Sequence, residues 1–285
     1  MTATRPRDPA GTGSFGARLR DAMAERGPLC VGIDPHPALL SRWGLPDTVA
    51  GLARFTSTAV EALGGQVAVL KPQSAFFERH GSGGIAVLEQ TIATAREAGA
   101  LVLLDVKRGD IGSTASAYAD AYLHPASSLA ADAVTASPYL GFGSLRPLLE
   151  TAAAHGAGVF VLALTSNPEG AQVQQARHNG VSVAGSILRQ LAAANAAARP
   201  WGSFGAVVGA TIGSTEDDLA IHGPLLAPGF GAQGGTVDDL RRIFGDLLGE
   251  VVPATSRGVL TAGPDISALR AAAAAVAETL DRLLS

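Results

Sequence analysis

Apolar residues in this chain fall into short continuous runs, separated by longer stretches in which apolar positions recur at helical spacing. The runs are Leu29–Asp34, Gln66–Lys71, Ala100–Asp105, Asp132–Ala136, Gly158–Leu164, Phe204–Val208, Gly223–Pro228 and Val251–Thr255. They are bounded by Gly, Pro or charged residues and do not alternate with polar positions, the pattern of parallel strands covered on both faces. Helical spacing is found in Asp47–Leu63, where Val49, Leu52, Ala53 and Val60 share a face, and in Gly84–Ala98, Val181–Asn195, Val237–Leu248 and Asp265–Leu284. A further helix, Ser14–Arg26, precedes the first strand, with Ser14 as N-cap and Gly27 as stop; Phe15, Leu19, Ala22 and Met23 line one side of it.

Eight strands, each followed by a helix, predict an α/β fold: a (β/α)8 TIM barrel with an additional N-terminal helix. A doubly wound open sheet gives the same alternation. However, the turn after the first strand reads Asp34-Pro35-His36-Pro37 and lacks the Gly-x-Gly-x-x-Gly of a dinucleotide-binding half. Residues 14–285 are expected to form one barrel domain, with residues 1–13 a flexible tail that makes a poor signal peptide.

Composition removes several function classes. With 47% hydrophobic and 16% charged residues over 285 positions, the chain can bury a large core and is not disordered. A net charge of −4 with no basic stripe argues against a nucleic-acid partner. No run of about 18 apolar residues offers a transmembrane helix, so a soluble cytoplasmic protein without a membrane partner is expected. The single cysteine, Cys30, excludes a disulfide framework and reads as a small core residue.

A barrel carries its active site at the C-terminal ends of its strands. Those positions read Asp34, Lys71, Asp105 with Lys107, Thr135, Thr165 with Ser166, the stretch from Gly229, and Arg257. Of 21 basic residues only two are lysines, Lys71 and Lys107, and both fall at predicted strand ends. Unlike arginine, lysine is a compact amine able to shift its pKa and donate a proton. Within Asp105-Val106-Lys107-Arg108-Gly109-Asp110, strand alternation turns Asp105 and Lys107 to the same side, and Gly109 permits a turn before Asp110. Two carboxylates and two amines at one mouth form an alternating chain of charges that would aim a protonated lysine at a reacting atom.

Gly229-Phe230-Gly231-Ala232-Gln233-Gly234-Gly235 follows the seventh strand and Ser256-Arg257-Gly258 the eighth. Barrels bind phosphate with these two loops, through backbone N–H groups and a bidentate arginine, so a phosphorylated substrate is expected. The six histidines are dispersed, and neither a Gly-x-Ser-x-Gly elbow nor a Walker loop is present. No metal and no cofactor is expected.

The Asp105–Thr114 segment, DVKRGDIGST, resembles the signature of the orotidine 5′-phosphate decarboxylase family. Val31–His36, Lys71-Pro72-Gln73, Thr165-Ser166-Asn167-Pro168 and Pro228–Gly235 are similar to its other blocks, in the expected order; the length and Thr-Ser-Asn-Pro segment resemble its longer bacterial branch. The resemblance implies cofactor-independent conversion of orotidine 5′-monophosphate to UMP and CO2, the last step of de novo pyrimidine synthesis. It implies that Lys107 protonates C6, that Asp105 sits against the departing carboxylate, and that Lys71 and Asp110 complete the charge network. It further implies that Asp34 holds the ribose, Ser166 and Gln233 the pyrimidine, and Gln233 and Arg257 the phosphate, with Gly234 also expected among the substrate-binding residues. The family implies a homodimer in which Asp110 and Thr114 reach the neighbouring site. On the residues alone three alternatives stay open: a magnesium-dependent sugar-phosphate enzyme on the same barrel, a Schiff-base aldolase using Lys71 or Lys107, and a phosphate-ligand sensor without chemistry.

Overall fold

The computed structural model describes residues 13–284. Eight parallel strands form its centre: β1 (Cys30–Ile33), β2 (Val69–Pro72), β3 (Leu101–Arg108), β4 (Ala133–Ala136), β5 (Gly158–Leu164), β8 (Phe204–Val208), β9 (Leu225–Pro228) and β10 (Val251–Thr255). Paired in the order β1-β10-β9-β8-β5-β4-β3-β2, they close into a barrel. Between β5 and β8 the two-residue strands β6 (Arg177–His178) and β7 (Val181–Ser182) make a separate antiparallel hairpin.

The strands read as uniformly apolar because both faces are buried. Val102, Leu104 and Val106 of β3 pack outward in the layer shared with the helices, while Leu103 packs inside the barrel. Phe160, Val207, Leu226 and Val252 continue that inner layer around the ring.

The N-terminal helix, Phe15–Arg26, begins as its sequence predicts, with the Ser14 hydroxyl accepting from the Ala17 amide. It closes the N-terminal end of the barrel: Phe15, Leu19 and Ala22 join the inner cluster, and the Phe15 ring meets Phe160 edge-on at 6.0 Å. Gly158 is a packing requirement there, since a Cβ would collide with the Phe15 ring. Burying Phe15 and Leu19 is worth about 1.5–3 kcal/mol each. Arg18 fixes the helix by donating to Asp132 Oδ1 and to the Gly156 carbonyl, each at 2.9 Å. With this end plugged, the open end is the C-terminal one.

Three connections depart from the periodicity. Helices Gly112–Leu123 and Arg146–Ala154 follow β3 and β4, where no apolar stripe singled them out. No helix follows β8. Residues 209–224 run irregularly to β9, and buried Leu219 and Ile221 supply the outer cover that a helix would give. The tail predicted over residues 1–13 lies, apart from Gly13, outside the described residues. Among the described residues no helix is long and apolar enough to cross a membrane.

Candidate active site

Lys71 ends up in the barrel mouth because β2 points it inward, and Asp105 because β3 does the same one strand further on. Both are buried. Lys71 Nζ donates to Asp105 Oδ2 at 3.1 Å, and Lys107 Nζ donates to Asp105 Oδ1 at 2.7 Å. A single carboxylate therefore sits between two amines. Burial would push the Lys71 ammonium down, but Asp105 and Asp34 outweigh it and hold it well above the usual lysine range. Burial would likewise push the Asp105 carboxyl up. Lys71 and Lys107, with the Lys107 and Thr135 hydrogen bonds, overcome that and hold it well below the carboxylate range.

Strand alternation brings Asp105 and Lys107 to one side, as the sequence indicates, but the backbone there is not a regular strand. Leu103 and Leu104 pair with Ala133 and Val134, and Arg108 then pairs with Ala136, so β3 bulges between Leu104 and Arg108. Lys107 lies within the bulge at φ 45°, a left-handed conformation costly for a side chain of this size. Such strain persists only where its surroundings impose it. The imposing contacts are close at hand. The Lys107 amide donates to Thr135 Oγ1 at 2.9 Å, and the Ser137 amide donates to the Arg108 carbonyl at 2.8 Å. Gly109 lies so close to the Ser137 carbonyl that a Cβ would not fit.

Asp34, Lys71, Asp105, Lys107, Ser166, Gln233 and Arg257 line one pocket. Asp34 is buried, and its Oδ1 has no hydrogen-bond partner among the described residues. Ser256 Oγ, on the same wall, is also buried without a partner. The loop 229–235 folds back on itself: the Gly231 amide donates to the Gly235 carbonyl at 2.8 Å, and Gly229, Gly231 and Gly234 all have positive φ. Arg257 stands exposed on the pocket wall, and among the described residues its guanidinium pairs with no carboxylate.

Three of the expected site residues stand outside this pocket. Gly234 lies at the exposed turn of its loop. Asp110 is half-buried and accepts the Ile111 amide at 2.7 Å, and Thr114 is exposed on the helix that follows. Cys30 lies in the inner layer with its thiol pushed up to about 12 by burial, which makes it a packing residue.

Thr135 and Gln73 are two of several pocket residues that carry no role in the sequence reading. Thr135 donates to Asp105 Oδ1 at 2.8 Å, and Gln73 lines the pocket beside Lys71. Inward parity was the available signal: Thr135 is two residues beyond Ala133 of the inner layer, and Gln73 two beyond Lys71.

A parallel (β/α)8 barrel with a Lys–Asp–Lys network at its C-terminal mouth, its Lys71 and Asp105 buried, facing a glycine-rich loop and an arginine, defines the class of barrel enzymes that act on small phosphorylated substrates. Within that class the chain belongs to the Orotidine 5′-phosphate decarboxylase / HUMPS family, whose sequence profile matches residues 27–272. The orotidine 5′-phosphate decarboxylase of Salinispora arenicola is 67% identical over 262 residues, covering 91% of this chain and 94% of that protein. That of Streptomyces coelicolor is 64% identical over 261 residues, covering 91% and 94%. A crystal structure from Streptomyces avermitilis superposes with a TM-score of 0.93 at 58% identity, covering 100% of this chain and 99% of that one.

Proposed function

We propose that the chain decarboxylates orotidine 5′-monophosphate to UMP and CO2, closing de novo pyrimidine synthesis, with Lys107 as the proton donor. The observation that carries this reading is Asp105 held between Lys71 and Lys107 at the barrel mouth. When the bond from C6 to the carboxylate breaks, CO2 departs and the electron pair stays on C6, where no neighbouring group delocalises it. A fixed ammonium at that carbon stabilises the developing charge without waiting for water to reorganise, and then delivers the proton. Asp105 and Thr135 supply the fixing. The lost proton is replaced from solvent, which reaches the exposed Lys107 side chain.

The other roles follow the pocket wall. Asp34, with its unpartnered oxygen, suits a ribose hydroxyl; Ser166 and Gln233 face the pyrimidine; Gln233, the backbone of the glycine loop around Gly234, and Arg257 hold the phosphate. The phosphate is remote from C6, so binding energy gained there can position the reacting end. An aldolase-type Schiff base requires a neutral amine, and the carboxylates around Lys71 favour its charged form.

Asp110 and Thr114, which lie outside their own pocket, are read as reaching a second copy's site in a homodimer. Exposed Ile111, Tyr139 and Leu140, on the connections after β3 and β4, offer the apolar surface such a contact would bury. The enzyme is read as cytoplasmic, in keeping with its metabolic role.

The test is ultraviolet absorbance of orotidine 5′-monophosphate mixed with purified protein in excess EDTA. A shift to the UMP spectrum is expected. A change only after magnesium is added would place the chemistry with the metal-dependent alternative, and no change under either condition would overturn the reading.

A further inference from the structure

Apart from Ser166, the stretch between β5 and the helix Val183–Asn195 has no part in the roles assigned above, yet it braces one wall of the pocket. β5 ends at Leu164, and Thr165 and Ser166 are the first residues beyond it, both on the pocket lining. Nine residues past Thr165, Gln174 folds back over it. Its Oε1 accepts the Thr165 amide hydrogen at 2.9 Å, and its Nε2 donates to the Thr165 hydroxyl at 2.6 Å. The hydroxyl in turn donates to Asn167 Oδ1 at 2.6 Å. Gly170 leaves room for this clasp, because a Cβ there would lie 3.0 Å from the Thr165 hydroxyl and 3.1 Å from the Gln174 amide.

The surroundings of the clasp are anchored from two further sides. The Gly209 amide donates to the Leu164 carbonyl at 2.8 Å, and Gly209 packs so closely on Ser166 that a Cβ would lie 3.1 Å from its amide nitrogen. The β6–β7 hairpin that follows Gln174 is tied to the 209–224 connection by Arg177 on Glu216 at 3.1 Å and by Ser182 on Asp217 at 2.6 Å. Ser166 is thus fixed by the residue before it and the glycine beside it, while its hydroxyl makes no hydrogen bond among the described residues.

We propose that Gln174 is a positioning residue for substrate recognition: it clasps Thr165 so that Ser166 presents its hydroxyl to the pyrimidine ring. The proposal rests on the assignment of Ser166 made above. Both of Gln174's side-chain hydrogen bonds end on Thr165, so it acts on Ser166 through the backbone that joins the two residues. Ring recognition is made in ground and transition states alike, and its loss therefore raises KM more than it lowers kcat.

The test is a double-mutant cycle of Gln174→Ala and Ser166→Ala, assayed by decarboxylation of orotidine 5′-monophosphate, with thermal unfolding to check that each variant is folded. Gln174→Ala is expected to lower kcat/KM roughly threefold to tenfold, the size of one or two neutral hydrogen bonds, mainly through KM. In the Ser166→Ala background the same change should have little further effect. Gln174→Glu keeps the length and an oxygen for the Thr165 amide, so it should lose less than Gln174→Ala. Full activity of folded Gln174→Ala, or losses that simply multiply in the double variant, would overturn the proposal while leaving the decarboxylase reading intact. A wild-type enzyme silent toward orotidine 5′-monophosphate would overturn both.

Discussion

Thr135 and Lys107 are joined through the backbone: the Thr135 hydroxyl accepts the Lys107 amide hydrogen at 2.9 Å and donates its own to Asp105 Oδ1 at 2.8 Å. One hydroxyl therefore holds both the left-handed turn that aims Lys107 and the carboxylate that its ammonium touches. Thr135→Val keeps the shape and removes both bonds. It is expected to lower kcat about tenfold, the equivalent of about 1.4 kcal/mol, with KM little changed. Steady-state kinetics on the folded variant check it, and a rise in KM at constant kcat would place Thr135 in binding.

Arg257 contacts the phosphate in the proposed arrangement, in ground and transition states alike. Arg257→Ala should therefore raise KM by about tenfold or more, as the loss of a charge-assisted contact worth about 1.5–3 kcal/mol demands. Adding inorganic phosphate alongside a substrate that lacks the phosphate group would separate the two parts. Wild type should gain from the added phosphate and the variant much less. An unchanged KM would move the phosphate site elsewhere.

Much of this site was legible in the sequence for a physical reason. A chain whose cations are nearly all arginine keeps lysine only at positions 71 and 107, and the inward parity of parallel strands places both at the mouth. The bulge was not legible. It depends on Arg108 re-pairing with Ala136 of the neighbouring strand β4, and nothing local in Val106 or Lys107 announces a φ of 45°. The helix Gly112–Leu123 escaped for another reason: its Ser, Ala and Tyr residues carry little amphipathic contrast, because much of that face stays exposed. The connection after β8 went the other way, since its buried Leu219 and Ile221 cover the barrel without helical hydrogen bonding. Thr135 was identifiable as a strand end, but its role depends on Asp105 lying across from it.

At the opposite end of the barrel, Asp132 predicts how stability varies with pH. Its carboxylate takes hydrogen bonds from Arg18, Arg96 and the Val102 amide. Burial would push its pKa up, but Arg96 and Arg18, with the Val102 amide, hold it below the ordinary carboxylate value. A folded-state value below the unfolded one of about 3.9 contributes stability that is present above about pH 5 and lost as pH falls through the folded value. Asp132→Asn should therefore cost about 2 kcal/mol near neutrality, discounted for the partly exposed arginines, and the gap from wild type should narrow toward acid. Urea unfolding across that pH range measures it; a gap that stays constant down to acid would show that the carboxylate's charge is not what holds the N-terminal helix.

Asp110 decides whether a second chain is needed. Lys107 faces its own pocket and Asp110 does not line it, so a site shared across a symmetric dimer would take Lys107 from one copy and Asp110 from the other. Lys107→Ala removes the proposed proton donor and is expected to abolish turnover with the fold retained. Asp110→Ala should be inactive as well, because the charge network is incomplete. In a mixed dimer, the copy carrying Asp110→Ala still supplies Lys107 and the copy carrying Lys107→Ala still supplies Asp110, so one of the two sites is whole. Equal mixing with free exchange makes half the dimers mixed, and activity should recover to about a quarter of wild type. Native mass spectrometry can establish that exchange has occurred. If mixed dimers form and activity stays absent, the sites are not shared, and Asp110 acts on its own chain by capping the turn at Ile111.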